Sequence, residues 1–157
     1  LHLSIRRQRQ MCIRDRKRGD NIYFKKIGVA AKADKEKMFL PLDVIIANNG
    51  HTDRNISYLK MDIEGAEIAG LQSWLKSGAL DNVQQIGLEF HLSRDLAMTK
   101  RFFETLKDLY FIGHYRLMSY EVNGCAKNGV AQLKAMDYYL LAEIVLKKID
   151  TNYRCDD

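Results

Sequence analysis

The chain has 157 residues, of which 46% are hydrophobic and 29% are charged, and this is enough for one globular domain with a hydrophobic core. Its longest apolar stretch, residues 138–146, is interrupted by Glu143 and is far shorter than the roughly 18 to 20 residues of a membrane-spanning helix, so no such span is expected. The net charge of +5 is confined to the start of the chain: residues 1–18 carry seven Lys or Arg and one acid, whereas residues 19–157 carry 18 bases and 19 acids. Nucleic acid is therefore an unlikely partner for the body of the chain.

The basic start, residues 1–18, is expected to be a disordered or artefactual tail. An Arg-rich block of this kind also occurs in nucleic-acid-binding arms and in mitochondrial presequences. We favour a third interpretation, because residues 4–16 resemble translated sequencing-adapter read-through, which would make residues 1–16 an artefact. On this interpretation the domain covers residues 19–150 and is the carboxyl-terminal part of a larger one, and residues 151–157 form a second disordered tail.

The cysteines do not form a framework, since Cys12 lies in the basic tail and Cys155 is one of the last three residues. A single bridge between Cys125 and Cys155 remains open. The sequence contains neither a CxxC pair nor an HExxH motif. It therefore predicts no structural zinc site.

The first half of the chain predicts two strands and a short helix. Residues 23–30 are predicted to form a strand that is followed by a charged turn at residues 32–37. Pro41 suits the start of a short helix over residues 43–47, which Asn and Gly residues end. Residues 56–63 then form the second predicted strand.

The second half alternates a helix with a strand and ends in two strands. A helix is predicted over residues 67–77, with Gly78 as its end and Trp74 on the apolar face that belongs to the core. A third strand is expected over residues 83–90, followed by a helix that Ser93 caps. The apolar stripe of that helix is Phe102, Phe103, Leu106, Leu109 and Tyr110.

The last two predicted strands, residues 111–122 and 138–147, have no helical pattern between them. Strands joined without a crossover helix must be antiparallel. The sequence therefore predicts a single α/β domain with a mostly parallel sheet that ends in a C-terminal antiparallel hairpin.

Three carboxylates cluster where the second strand meets the first long helix. They are Asp62, Glu64 and Glu67 in the run DIEGAE, which covers residues 62–67. In open α/β sheets, ligands bind outside the carboxyl ends of the strands. The run is therefore a candidate edge of an active site.

Two segments carry a resemblance to a known family. They are YLKMDIEGAE at residues 58–67 and VQQIGLEFH at residues 83–91, with PLDVII at 41–46 and NGHTDR at 49–54 as upstream support. Together they resemble the FkbM-type S-adenosylmethionine-dependent methyltransferases, and most closely the branch called methyltransferase-like protein 24. The resemblance implies a partial Rossmann-like class I methyltransferase sheet. It also implies S-adenosylmethionine as cofactor and a methyl acceptor that is a small molecule, a sugar or a protein.

An intact member of that family would resemble a seven-strand sheet whose first strand ends in a Gly-rich turn and whose second ends in an acidic residue for the cofactor ribose. The ten glycines of this chain include no GxG pair. We therefore expect the chain to be a fragment that is inactive on its own. Its strand at residues 56–63 would lie at an exposed sheet edge, and its first 20 residues would be irregular.

A binding prediction follows from the missing glycines. The 157-residue chain is expected to bind S-adenosylmethionine weakly or not at all, because glycines allow the backbone to approach the cofactor closely. Isothermal titration calorimetry checks this expectation. A micromolar dissociation constant would contradict it.

The resemblance places the catalytic candidates at the end of the motif strand. Asp62 is expected to orient or deprotonate the acceptor, or to contact the amino-acid end of the cofactor. Glu64 is the second catalytic candidate, and with Asp62 it could hold Mg²⁺, which prefers oxygen ligands. The alternative is that both carboxylates only complement the positive end of the following helix, as we expect for Glu67.

Further candidates are predicted to line the substrate pocket. Glu89 and His91 end the next strand, and their side chains point the same way because a strand alternates. His51 lies in the loop before the motif strand and is a weaker candidate for binding substrate.

Two other functions stay open at this stage. One is a non-catalytic α/β interaction module, which a missing Gly-rich segment upstream of residue 17 would favour. The other is a metal-dependent carboxylate enzyme that uses Asp62, Glu64 and Glu89, which tight Mg²⁺ or Mn²⁺ binding would favour. The sequence carries no clear signal for cellular location.

Overall fold

The computed structural model describes residues 2–6, 16–91, 95–122, 130–133, 136–139 and 141–150. Eleven strands and three helices are found in these ranges. In chain order they are β1 (His2–Arg6), β2 (Arg16–Gly19), β3 (Ile22–Phe24), β4 (Gly28–Val29), β5 (Phe39–Leu40), α1 (Leu42–Asn48), β6 (Tyr58–Asp62), α2 (Glu67–Ser77), β7 (Gln85–His91), α3 (Leu96–Phe111), β8 (Tyr115–Val122), β9 (Val130–Leu133), β10 (Met136–Tyr139) and β11 (Leu141–Lys148).

The main sheet has five strands in the order β1-β6-β7-β11-β8. Strand β6 pairs in parallel with β1 on one side and with β7 on the other. Strand β11 runs antiparallel to both β7 and β8, so β8 points the same way as β1, β6 and β7. The predicted α/β class and the predicted C-terminal antiparallel pair are therefore confirmed.

The start of the chain differs from the expectation. The prediction of an irregular first 20 residues is wrong for His2–Arg6, which pairs with Tyr58–Asp62, and for Arg16–Gly19, which pairs with β3. The strand at residues 56–63 consequently has a neighbour on each side. The physical reason is that a strand edge presents a row of unpaired N–H and C=O groups, which any extended segment within reach can satisfy.

The predicted strand over residues 23–30 is divided. Strand β3 ends at Phe24, and β4 begins at Gly28 and pairs in parallel with β5. The exposed Lys25 and Lys26 lie between them, where a strand buried on one face has no place for two successive charges. Gly28 packs against the ring of Phe39, and a Cβ atom at this position would overlap the ring.

The core lies between one face of the main sheet and the helices. Helix α2 has the predicted bounds, ends at Gly78 with a φ of 77°, and buries Trp74 completely. The prediction that Trp74 belongs to the core is thus confirmed. Alternate strand residues contribute the rest of the core, namely Leu59, Met61, Ile86, Leu88, Phe90, Ala142, Ile144 and Leu146. The opposite alternation leaves Asp62, Glu89 and His91 half-buried on the other face.

Helix α3 begins and ends at different residues from those predicted. Its N-cap is Asp95, whose side chain accepts the Ala97 N–H at 2.9 Å, and the predicted cap Ser93 lies outside the described residues. The helix continues to Phe111, so the following strand begins only at Tyr115. Within the described residues, no helix is long and apolar enough to cross a membrane.

The buried Tyr115 ties β8 to the turn between α2 and β7. Its hydroxyl lies 2.7 Å from the Val83 carbonyl oxygen and 3.1 Å from that of Leu80. Burial, together with the nearby negative charge of Asp81, raises the pKa of Tyr115 above its ordinary value of 10.0. The neutral phenol is therefore favoured in the folded state.

Tyr115→Phe is expected to lower the free energy of unfolding at neutral pH by about 1 kcal/mol, because it removes a buried hydrogen-bond donor. Since the folded pKa is raised, the contribution of the phenol is fully present below pH 10 and is lost as the pH rises above 10. Urea unfolding at pH 7 and at alkaline pH checks both effects. Tyr110→Phe alters a half-exposed ring and should lose stability at alkaline pH as the unaltered protein does. If Tyr115→Phe lost as much stability at alkaline pH, the loss could not be assigned to the ionisation of Tyr115.

Candidate functional site

The carboxyl ends of β6 and β7 lie side by side at one edge of the sheet. The two strands pair in parallel with Met61 opposite Leu88. Asp62 is the last residue of β6 and His91 is the last residue of β7. The structure therefore brings together an acid and an imidazole that are 29 positions apart in the chain.

The turn from β6 to α2 carries the second acid of the motif. Glu64 has a φ of 56° and Gly65 has a φ of 95°, so two successive residues adopt left-handed conformations. A residue with a Cβ atom is rarely found in this region, because the conformation costs roughly 1 to 3 kcal/mol and persists only where the surroundings impose it. In this turn, the Glu64 Oε2 atom lies 3.8 Å from the His91 Nε2 atom.

Glu67 connects the turn, the helix and His91. Its side chain is buried, and its Oε1 atom accepts the Ile63 N–H at 3.0 Å and lies 3.3 Å from His91 Nδ1. An ionised carboxylate only accepts hydrogen bonds, so this contact assigns the proton of a neutral imidazole to Nδ1 and leaves the Nε2 lone pair facing Glu64. The expected structural role of Glu67 is thus extended, because it also orients the imidazole.

Asp62, Glu64 and His91 form one cluster. The ligand-type atoms of the three residues all lie within 4.8 Å of one another. Asp62 and His91 are half-buried, whereas Glu64 is exposed. Two carboxylates and an imidazole at this spacing can accept a proton from a substrate hydroxyl, or they can surround a cation.

A cleft adjoins this cluster at the turn. It has a volume of about 360 Å³ and is lined by Val29, Ala30, Phe39 and residues 63–66. Helix α2 holds the far wall, because Trp74 donates its Nε1–H to the Ala30 carbonyl at 3.4 Å and Ser73 donates its hydroxyl to the Ala31 carbonyl at 3.2 Å. This wall gives the edge a concave surface.

Glu89 lies on the same face as His91 but further from the edge. It pairs across the strands with Glu143, and Glu143 forms an ion pair with Lys60 at 3.2 Å. Two residues of extended strand, or roughly 7 Å, separate Glu89 from His91 along β7. Glu89 is therefore a neighbour of the three-residue cluster and not a member of it.

The structure does not bring His51 to this edge. His51 lines a pocket of about 170 Å³ with Ile56 and Asn82, at the amino ends of β6 and β7. Asp62 is six residues of extended chain from Ile56, which is roughly 20 Å. The Nδ1 atom of His51 is buried and has no hydrogen-bond partner among the described residues. This environment links His51 to the loop and not to the carboxylates of the motif.

Two features of the edge were not predicted from the sequence. The contact between the side chains of Glu67 and His91 joins α2 to β7. It can be recognised only once β6 and β7 are known to be neighbours in the sheet. The far wall of the cleft comes from Val29, Ala30 and Phe39. The only sequence signal for that wall was the apolar character of residues 27–30 and 38–40.

One family model matches most of the chain. Its description is "Methyltransferase FkbM domain", and it matches residues 18–122, which include α2, β6, β7 and the whole three-residue cluster. Comparison with curated proteins gave no match, and comparison with solved structures gave none either.

Proposed function

Because the chain belongs to the methyltransferase FkbM family, we propose that the protein transfers a methyl group from S-adenosylmethionine to the oxygen of an acceptor hydroxyl. The observation that carries the proposal is the convergence of Asp62, Glu64 and His91 at one sheet edge inside the matched region. The acceptor belongs to one of three classes, namely small molecules, sugars and proteins. The resemblance of residues 58–67 and 83–91 supports the methyltransferase-like protein 24 branch.

We further infer that the sheet is part of a Rossmann-like class I methyltransferase sheet. The parallel strands β1, β6 and β7 and the reversed strand β11 support this inference. Ligands of such sheets bind outside the carboxyl ends of the parallel strands, which is where Asp62 and His91 lie.

The described residues fit one part of the cofactor. Asp62 offers a carboxylate that suits its ammonium group, and a Cβ at Gly65 would meet no atom of the described residues within 4 Å, so those residues leave space for a ligand at this backbone. No GxG turn is present in the sequence to cradle the rest. When bound, S-adenosylmethionine supplies an electrophilic methyl group on its sulfonium.

The chain's own residues would align the acceptor and remove its proton. A displacement at a methyl group needs the attacking oxygen in line, which positioned side chains provide. Asp62 takes the hydroxyl proton or holds the acceptor, and Glu64 is placed to assist. His91 presents Nε2 to the acceptor because Glu67 holds its Nδ1 side.

The test is transfer of isotope-labelled methyl from S-adenosylmethionine to a panel of sugars, small alcohols, phenols and proteins. Both this chain and the product of its full gene are assayed, so that any cofactor loop encoded upstream of residue 17 is included. Label on an acceptor oxygen is the expected result for the gene product, whereas this chain alone is expected to give little or none. Calorimetry of cofactor binding adds a measurement that needs no acceptor. The absence of both binding and transfer in both proteins would overturn the proposal.

A metal-dependent enzyme of a different class is the second candidate. The grouping of Asp62, Glu64 and His91 favours it. Glu89, which the sequence also suggested for this role, lies outside that grouping. Metal-dependent turnover without S-adenosylmethionine would distinguish it from the methyltransferase.

A further inference from the structure

We propose that Asp62, Glu64 and His91 bind a divalent transition-metal cation such as Mn²⁺ at the carboxyl edge of β6 and β7. The three ligand atoms already lie within 4.8 Å of one another, and Glu64 Oε2 lies 3.8 Å from His91 Nε2. Metal bonds of about 2.0 to 2.2 Å place neighbouring ligand atoms roughly 3 to 3.5 Å apart. A small side-chain rotation of the exposed Glu64 would therefore bring its carboxylate and His91 Nε2 to the spacing of two metal ligands.

The environment of His91 is that of a metal ligand. Histidines that bind metals almost always donate their other ring N–H to a carboxylate, a carbonyl or a water, which fixes the ring and makes the ligating nitrogen more basic. The buried Glu67 occupies that position at 3.3 Å from Nδ1. Glu67 is itself fixed by the Ile63 N–H at 3.0 Å. Nε2 is consequently aimed toward Glu64.

The charges of the set match a dication. Two ionised carboxylates and a neutral imidazole carry a formal charge of −2, which one divalent cation neutralises.

The imidazole decides which kind of cation is favoured. Mg²⁺ prefers oxygen ligands in near-ideal octahedral geometry. Imidazole suits first-row transition metals, whereas carboxylates suit the harder cations Mg²⁺, Ca²⁺ and Mn²⁺. Mn²⁺ accepts both ligand types, so the mixed set favours it over the Mg²⁺ that Asp62 and Glu64 alone suggested.

This inference deepens the proposed function, because a cation at the edge would bind the acceptor oxygen and favour loss of its proton, and Asp62 and His91 would then act on the acceptor through the metal. Its test does not depend on methyl transfer. Mn²⁺ alone is titrated into the metal-free full chain, and the unbound ion is measured by electron paramagnetic resonance. Loss of metal binding and loss of methyl transfer are therefore separate results.

Asp62→Asn and His91→Gln are each expected to weaken Mn²⁺ binding at least about tenfold, and Glu67→Gln is expected to weaken it about 10- to 100-fold. Glu104→Gln is the matched control, because it removes an exposed acid on α3 and should leave the affinity unchanged. Circular dichroism verifies that each variant is folded. Pulsed electron paramagnetic resonance of Mn²⁺ bound to the unaltered chain should show hyperfine coupling to a nitrogen of His91. This readout needs no variant. Tenfold excess Mg²⁺ should not displace the Mn²⁺.

Four results would overturn the proposal. They are no Mn²⁺ binding by the unaltered chain, unchanged affinity in both Asp62→Asn and His91→Gln, bound Mn²⁺ without nitrogen coupling, and displacement of Mn²⁺ by a tenfold excess of Mg²⁺.

Discussion

Asp62→Asn is expected to lower the turnover number for methyl transfer about 10²- to 10⁴-fold, which is the usual contribution of a positioned acid or base. Asparagine has nearly the same shape as aspartate, but it cannot take the hydroxyl proton and carries no negative charge. Asp62 ends β6, and its backbone position is held because β6 pairs with β1 up to Asp62 and with β7 up to Met61. The substitution should therefore change chemistry and not the fold.

The kinetic pattern separates the two roles proposed for Asp62. If it removes the proton, the turnover number falls and the affinity for S-adenosylmethionine is retained. If it holds the cofactor, that affinity falls as well. The measurement uses whichever protein transfers label, either this chain or the product of its full gene. Glu104→Gln serves as the control. A turnover number within threefold of the unaltered protein would exclude Asp62 from both roles.

The motif strand and the helix after it were predictable because their signals are local. The alternation of Leu59 and Met61 with polar neighbours indicates a strand with one buried face, and Gly78 ends α2 where a left-handed residue is required. The position of the carboxylates at the end of this strand also follows from the sequence. Local patterns thus identify Asp62 and Glu64 as residues of the edge.

The relations between elements were not predictable in the same way. The orientation of His91 depends on Glu67, and this contact requires that β6 and β7 be parallel neighbours in the observed register. The pairing of His2–Arg6 with β6 was missed because the basic composition near this segment favoured an irregular tail. The position of His51 has a related explanation: its closeness to the motif in sequence places it at the start of β6, whereas the carboxylates lie at the end of that strand.

Trp74 links the hydrophobic core to the wall of the cleft. Its indole ring is fully buried and packs against Gly70, where a Cβ atom would lie 2.8 Å from the ring. The indole N–H reaches the Ala30 carbonyl at 3.4 Å, and Ala30 lines the cleft next to Gly65. One side chain of α2 therefore supports the core and also positions the segment that faces the motif.

Trp74→Ala is expected to lower the free energy of unfolding by about 3 to 5 kcal/mol, because it removes a large buried ring and leaves a cavity that the sheet and α2 cannot fill. Trp74→Phe keeps much of the ring and loses the N–H bond, so a smaller loss of roughly 1 to 2 kcal/mol is expected. Urea unfolding followed by circular dichroism measures both variants. Leu96→Ala, at an exposed position on α3, is the control and should change the value by less than about 0.5 kcal/mol.

Faster proteolysis near Ala30 in Trp74→Ala than in Trp74→Phe would support the role of the ring in holding the cleft wall, since loss of packing releases the segment to local unfolding. Equal and small losses in both Trp74 variants would show that the ring does not carry the packing described for it.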